Sequence, residues 1–189
     1  MLYEKLKPYF VDDLLHVGNK IIFILESPHT QEVKNGYPVA GKSGVDISKI
    51  LFNLDEPFGK LLHEKKITNI GIVNVCNYPL QLSAYKNTDL SKSTHMKYFE
   101  KIRQNPIQRK RINPINEVIK TMMDDFKNRL MRHEDKKIVL CGNFAQNTFD
   151  SIANEDDFLA VLRVPHPSFN NWKKDKYKDV VKELVEFIS

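Results

Sequence analysis

The chain has 189 residues, 41% of them hydrophobic, which is enough for one domain with a sizeable core. No apolar stretch approaches the roughly 20 residues that a membrane-spanning helix needs, and residues 1–5 lack the apolar core of a signal peptide. We therefore expect a single domain over residues 1–189, monomeric and cytoplasmic, with no membrane partner. A net charge of +5 is compatible with a polyanionic partner.

Hydrophobic periodicity predicts helices and strands that alternate along the chain. The first half contains a helix (3–15), a strand (20–25), a loop rich in glycine and proline (26–43), a helix (45–54) and a strand (69–75). Residues 77–113 have little periodicity and are long for a connection, which indicates a functional or partly disordered excursion.

The second half of the chain continues the alternation. Its predicted elements are a helix (115–131) that begins at Asn113-Pro114, a strand (137–141), a helix (144–152), a strand (158–164) and a helix (176–188). Alternating strands and helices favour a parallel sheet that is covered on both faces and binds ligands at the carboxyl ends of its strands. We predict a three-layer α/β/α sandwich with a central, mainly parallel four-stranded sheet.

Four short motifs carry chemistry, and each lies at or near the end of an apolar run. They are LESPH at 25–29, GYPVAGKSG at 36–44, VNVCN at 73–77 and VPHPSF at 164–169. Because the carboxyl ends of parallel strands meet at one edge of a sheet, we expect Glu26, Asn74 and His166 to lie close together.

The order and spacing of these motifs resemble the uracil-DNA glycosylase superfamily over roughly residues 20–170. In its iron–sulfur branch a strand ends in Gly-Glu-Ala-Pro-Gly, a loop reads Gly-x-Pro-Phe-x-Gly-x-x-Gly, an Asn strand follows, and a His-Pro-Ser loop comes near the C-terminus. The resemblance implies DNA as the partner and excision of a base, uracil by default. The branch's cluster needs four thiolates. Cys76 and Cys141 are the only cysteines, so we expect no cluster and no other cofactor.

Cleavage of an N-glycosidic bond places positive charge on the sugar and negative charge on the departing base. A site for this reaction needs an anion near the sugar and a donor near the base, and Glu26 and His166 are the predicted catalytic residues. His29 is a further candidate for positioning water or a phosphate. The simpler interpretations are an ion-paired or capping Glu26, an ordinary loop histidine at 29, and a packing or phosphate-contacting His166.

Three residues are candidates for binding the base. Asn74 has the donors and the acceptor needed to read a base edge, although an asparagine at a strand end is often only a turn residue. In the resemblance, Val39 stands where the iron–sulfur branch has the phenylalanine that stacks on uracil. Tyr37, two residues earlier, is the candidate that would compensate for the smaller side chain.

Contacts to the DNA backbone are predicted from hydroxyl groups and from clustered basic residues. Ser43 and Ser168 are candidates for phosphate binding, and Phe169 is either a wedge that fills the gap left by an extruded nucleotide or a core residue. The basic residues that we expect to bind DNA, or else to form a solvated charged face, are Arg109, Lys110, Arg111, Lys173 and Lys174. No histidine or cysteine spacing indicates a metal site.

These observations favour a DNA glycosylase that acts without a metal. We expect it to be monofunctional, because the motifs include no matched lysine nucleophile. Its main variant is an enzyme for bulky modified bases in foreign DNA, since Val39 leaves more room than phenylalanine. Two alternatives come from other classes: a non-catalytic nucleic-acid-binding module on the same scaffold, and a hydrolase of free nucleosides or nucleotides.

Overall fold

A four-stranded sheet forms the centre of the computed structural model, which describes residues 2–104 and 117–189, with side chains over 4–104 and 120–189. The strands are β1 (Ile21–Leu25), β2 (Ile70–Asn74), β3 (Lys137–Cys141) and β4 (Ala160–Val164). Their spatial order is β2-β1-β3-β4, and every pairing is parallel. The predicted parallel sheet is confirmed.

Helices connect and cover the strands. In chain order they are α1 (Leu2–Leu6), α2 (Thr30–Asn35), α3 (Lys42–Phe52), α4 (Phe58–His63), α5 (Thr94–Gln104), α6 (Glu117–Leu130), α7 (Gly142–Phe149) and α8 (Lys178–Ile188). Short 3-10 turns lie at Lys7–Tyr9, Leu82–Tyr85, Asp89–Lys92, Met131–His133, Glu155–Asp157, Asn171–Lys173 and Asp175–Tyr177.

Successive side chains of each strand point to opposite faces of the sheet, and both faces are buried. In β1, Ile22 and Ile24 join one core with residues of α5, α6 and α7, whereas Phe23 and Leu25 join a second core with residues of α3, α4 and α8. The sheet is therefore the middle layer of the predicted three-layer sandwich.

The predicted helix over 3–15 is wrong beyond its first turns. Helix α1 ends at Leu6, and Leu14 instead forms an antiparallel bridge to Ile72 on the outer side of β2, with two backbone hydrogen bonds of 2.9 Å. This contact satisfies part of an otherwise open sheet edge. Apolar spacing alone gives no sign of such a partner, because the partner lies far along the chain.

The described part of the predicted excursion, residues 77–104, packs against the sheet. Tyr85, Leu90, Met96 and Phe99 are buried in the first core, and they lie on two 3-10 turns and α5. The prediction lacks helices α2 and α4 because each is only six residues long, and it lacks α5 because that helix lies in the segment interpreted as an irregular excursion. Residues 105–113, and the predicted helix start at Asn113-Pro114, lie outside the described residues.

Two glycines allow helices α3 and α4 to approach the backbone of the glycine loop closely. A Cβ at Gly44 would lie 2.0 Å from the Val39 carbonyl oxygen, and a Cβ at Gly59 would lie 1.8 Å from that of Pro38. Val39 itself has φ of +55°, a strained conformation for a β-branched residue. The helices therefore hold this loop in a conformation that it would not adopt alone.

We expect Gly59→Ala to lower the free energy of unfolding by about 1–3 kcal/mol, because the new methyl group overlaps the Pro38 carbonyl oxygen. Gly41→Ala is the matched control, since its Cβ would meet only the Gln31 side chain, at an ordinary 3.6 Å. Urea unfolding measures both variants. Equal losses would contradict the close approach of α4 to the loop.

Candidate active site

A cleft of about 720 Å³ opens at the edge of the sheet where the strands end. All four sequence motifs line it, and they contribute Glu26 after β1, Ser43 in the first turn of α3, Asn74 at the end of β2 and His166 after β4. The parallel direction of the strands is the reason that residues so distant in sequence meet here.

Glu26 lines the cleft, and its side chain is 14% exposed. One of its oxygens, Oε1, is 3.5 Å from Nη1 of Arg103, which belongs to α5 and also lines the cleft. The sequence analysis did not single out Arg103 as a site residue. The contact places an ion pair at the position of the predicted catalytic carboxylate.

Asn74 is buried, with 1% exposure, and its backbone is held from two sides. Its N–H donates to Oδ1 of Asp13 at 3.2 Å, and its carbonyl oxygen accepts from Nη1 of Arg129 at 2.8 Å. The side-chain nitrogen Nδ2 has no hydrogen-bond partner among the described residues. An unpaired buried donor is costly, so this amide is available to a ligand.

The network that holds Asn74 is a buried ion pair. Nη1 of Arg129 lies 2.9 Å and 3.1 Å from the two carboxylate oxygens of Asp13, while Nη2 donates to the Val75 carbonyl at 3.2 Å and Nε to Asp125 at 2.8 Å. The two side chains of the pair are only 6% and 15% exposed. Burial raises the pKa of Asp13, and the charge of Arg129 opposes that rise.

His166 is held as a neutral hydrogen-bond donor. Its Nδ1 accepts the backbone N–H of Ser168 at 3.1 Å and lies 2.7 Å from the Ser168 hydroxyl. Because Nδ1 accepts an N–H, the proton of the neutral ring is on Nε2. Burial, followed by the charge of Arg103, lowers the pKa of His166 to about 4. At neutral pH the ring therefore carries no charge and offers one donor.

The loop that carries His166 is fixed by side chains on both sides. Asn171 donates to the His166 carbonyl at 2.9 Å, and the Trp172 indole donates to the Pro165 carbonyl at 2.7 Å. Gly142, with φ of +85°, lies directly beneath, where a Cβ would be 2.7 Å from Cβ of His166. These contacts thus define the position of the imidazole.

His29 also lines the cleft, and burial and then Arg103 lower its pKa. Sequence reasoning missed its neighbour Glu32, whose carboxylate accepts the backbone N–H of His29 at 2.5 Å and that of Val39 at 2.7 Å. A glutamate three residues after a helix cap is the capping-box spacing, which was the available signal. Burial raises the pKa of Glu32.

The structure separates the two candidates for base stacking. Val39 lines the cleft but is 4% exposed and packs into the second core, so it presents little surface. Tyr37 stacks on His63, with ring centroids 4.8 Å apart, and is not among the residues that line the cleft. The structure therefore does not bring Tyr37 to the cleft, because its ring packs on His63 instead.

Among the candidates for DNA contact, Ser43, Ser168 and Phe169 line the cleft. Phe169 is 86% exposed at its rim, so the alternative of a core residue is wrong.

The two described lysines of the basic group are engaged within the protein. Lys173 forms an ion pair with the buried carboxylate of Asp46 in α3, and Lys174 donates to Asn171 at 2.5 Å. They therefore brace the His166 loop. Arg109, Lys110 and Arg111 lie outside the described residues.

Together, the fold and the cleft define a parallel-sheet α/β/α protein with a carboxylate, an amide and a neutral imidazole at one edge. A family model described as the Uracil DNA glycosylase superfamily matches residues 14–188, and the chain belongs to this superfamily. No curated protein matches the sequence.

Within residues 2–104 and 117–189, no group of three or more histidine, cysteine, aspartate or glutamate side chains is arranged to hold a metal ion. In the same part of the chain, no helix has both the length and the apolar character needed to cross a bilayer.

We expect Arg129→Ala to lower the free energy of unfolding by about 3–5 kcal/mol, because it leaves the buried Asp13 carboxylate unpaired. Arg163→Ala is the matched control. Arg163 also pairs with two carboxylates, of Asp150 and Glu155, but at the surface, where such pairs contribute about 1 kcal/mol or less. Chemical denaturation of both variants makes the comparison. Similar losses would show that burial of the Asp13 pair is not what matters.

The low pKa of His166 makes stability depend on pH. The unfolded ring, with a pKa near 6.5, takes up a proton that the folded ring, with a pKa of about 4, does not. The free energy of unfolding therefore falls as the pH drops through this window, by up to about 1.4 kcal/mol per pH unit. His166→Gln should lack this part of the slope. Urea unfolding across the window tests it, and parallel profiles for both proteins would contradict the neutral ring.

Proposed function

We propose that this protein is a monofunctional DNA glycosylase that flips a damaged, deaminated or modified base and hydrolyses its N-glycosidic bond. The observation that carries the proposal is the meeting of Glu26, Asn74 and His166 in one cleft. Membership of the superfamily supports DNA as the substrate. The Asn74 amide, unpaired among the described residues, fits ligand binding by a glycosylase or by a non-catalytic module, and base excision separates the two.

On the sugar side, the carboxylate of Glu26 stabilises the positive charge that develops as the glycosidic bond breaks, and it orients the attacking water. The water oxygen bonds to C1′ of the sugar, and its proton passes to the carboxylate. His29, which lines the same cleft, helps to hold this water or the adjacent phosphate.

On the base side, the bond electrons leave with the base, which needs hydrogen-bond donors. Nε2–H of His166 and the unpaired amide of Asn74 supply them. A neutral imidazole is suited to this task because it stabilises the departing anion without adding positive charge beside the cationic sugar. The base then takes up a proton and dissociates.

The DNA backbone is bound along the rim of the cleft. Ser43 and Ser168 line the cleft and contact phosphate oxygens, and Phe169 fills the gap that the extruded nucleotide leaves. Arg109, Lys110 and Arg111 add phosphate contacts whose strength falls with rising salt.

A bulky modified base is the second candidate substrate, beside uracil. Two observations favour it: the cleft has a volume of about 720 Å³, and the nearly buried Val39 offers no flat surface for stacking on uracil.

The direct experiment is to incubate the protein with oligonucleotides that each carry one modified base and to detect abasic sites. Products from one class of base identify the substrate, and products from none refute the proposed function.

We expect Glu26→Gln to lower the single-turnover rate of excision by about 100- to 1,000-fold while DNA affinity is retained, since the amide keeps the size of the side chain but not its charge. The measurement is abasic-site formation with enzyme in excess. Glu134→Gln, at an exposed glutamate beside the amino end of β3, is the control and should excise at the wild-type rate. Full activity of Glu26→Gln would remove this carboxylate from the mechanism.

We expect Phe169→Ala to slow excision from duplex DNA by roughly tenfold and to affect single-stranded DNA much less, because only the duplex must be held open after flipping. Leu159→Ala, which removes a residue 68% exposed at the other end of β4, is the control for loss of an exposed apolar side chain. The measurement is the single-turnover excision rate of each variant on duplex and on single-stranded DNA. An equal loss on both kinds of DNA would argue against a wedge.

A further inference from the structure

Arg103 lies inside the cleft, one residue before the end of α5. The helix is fixed by the burial of Met96, Phe99 and Ile102, and the Arg103 side chain is 25% exposed. Its Nη1 lies 3.5 Å from Oε1 of Glu26. Its Nε is buried and has no hydrogen-bond partner in the described part of the chain.

This hydrogen bonding is poor for a guanidinium. The group has five N–H donors in a planar fork that matches two oxygens of a phosphate, and its good ion pairs have N···O distances of about 2.7–2.9 Å. The contact to Glu26, at 3.5 Å, is longer than that. Because Nε is also unpaired among the described residues, the site gains hydrogen bonds when a ligand supplies two acceptor oxygens.

The position of the charge matters for the chemistry proposed above. Besides burial, Arg103 contributes to the lowered pKa of both His29 and His166, so its charge acts along the length of the cleft. A cation beside Glu26 offsets the negative charge that the cationic sugar requires. A productive complex therefore needs another anion to neutralise the guanidinium.

We propose that Arg103 is a phosphate clamp that exchanges partners when DNA binds: its guanidinium moves from Glu26 to a phosphodiester next to the flipped nucleotide. The exchange removes the Arg103 charge from the Glu26 carboxylate at the moment when substrate is present. This inference rests on the proposed function of the cleft and extends it, because it makes the backbone phosphate a condition for full activity. Free nucleosides, which lack that phosphate, are then poor substrates.

The test is a binding experiment with a duplex that contains a tetrahydrofuran abasic analogue, in which each flanking phosphate is replaced singly by an uncharged methylphosphonate. At one position the replacement should weaken binding by the wild type about tenfold, the effect of one lost hydrogen bond to a charged group. The same replacement should have little effect on Arg103→Gln, which has already lost the contact. With the unmodified duplex, the salt slope of Arg103→Gln should be lower by about 0.9.

A charge-conserving variant and a surface control accompany Arg103→Gln in the binding experiment. Arg103→Lys keeps the charge and should keep the salt slope, and it serves as a second test if the glutamine variant does not fold. Arg132→Ala removes an exposed arginine that lies before the amino end of β3, away from the carboxyl ends that form the cleft. This variant should bind DNA like the wild type.

Equal losses for wild type and Arg103→Gln at every methylphosphonate position would overturn the clamp. So would an unchanged salt slope in Arg103→Gln. Because the assay measures binding alone, a wild type that excises no base would refute the proposed function without deciding about the clamp.

Discussion

The common direction of the four strands is the constraint on which the rest of the molecule depends. Parallel strands present their carboxyl ends at one edge, and in this protein those ends carry a carboxylate, an amide and a histidine loop. Because both faces of the sheet are covered by helices, the edge is the place where polar side chains can face a ligand without disturbing the core. Fold and site follow from the same arrangement.

Several features of the structure keep that edge rigid before any substrate arrives. The buried Asp13–Arg129 pair holds both polar groups of the Asn74 backbone, and Gly142 seats the His166 ring from below. The Glu32 carboxylate spans the glycine loop. These groups belong to the protein's own scaffold, whereas the amide of Asn74 and Nε of Arg103 are unpaired within the described residues. Donors left unpaired in a rigid frame favour a ligand rich in acceptor oxygens.

The sequence predicted what is local and failed where distant partners decide. Short apolar runs predicted all four strands, and the motifs at their ends predicted which polar residues meet. The first helix was overextended because its apolar residues serve to cover the edge of β2, a tertiary role that spacing cannot reveal. Helix α5 was missed for a related reason, since its stability comes from packing against the sheet. As a result the position of Arg103 in the cleft was also missed.

The proposed mechanism sets an anion on the sugar side of the cleft against an uncharged donor on the base side. The most direct measurement is ¹⁵N NMR of the His166 ring, in the free protein and in complex with abasic-analogue DNA. We expect a neutral ring with its proton on Nε2 at neutral pH in both states, with a pKa of about 4 in the free protein. An imidazolium at neutral pH, or a proton on Nδ1, would contradict the proposed mechanism.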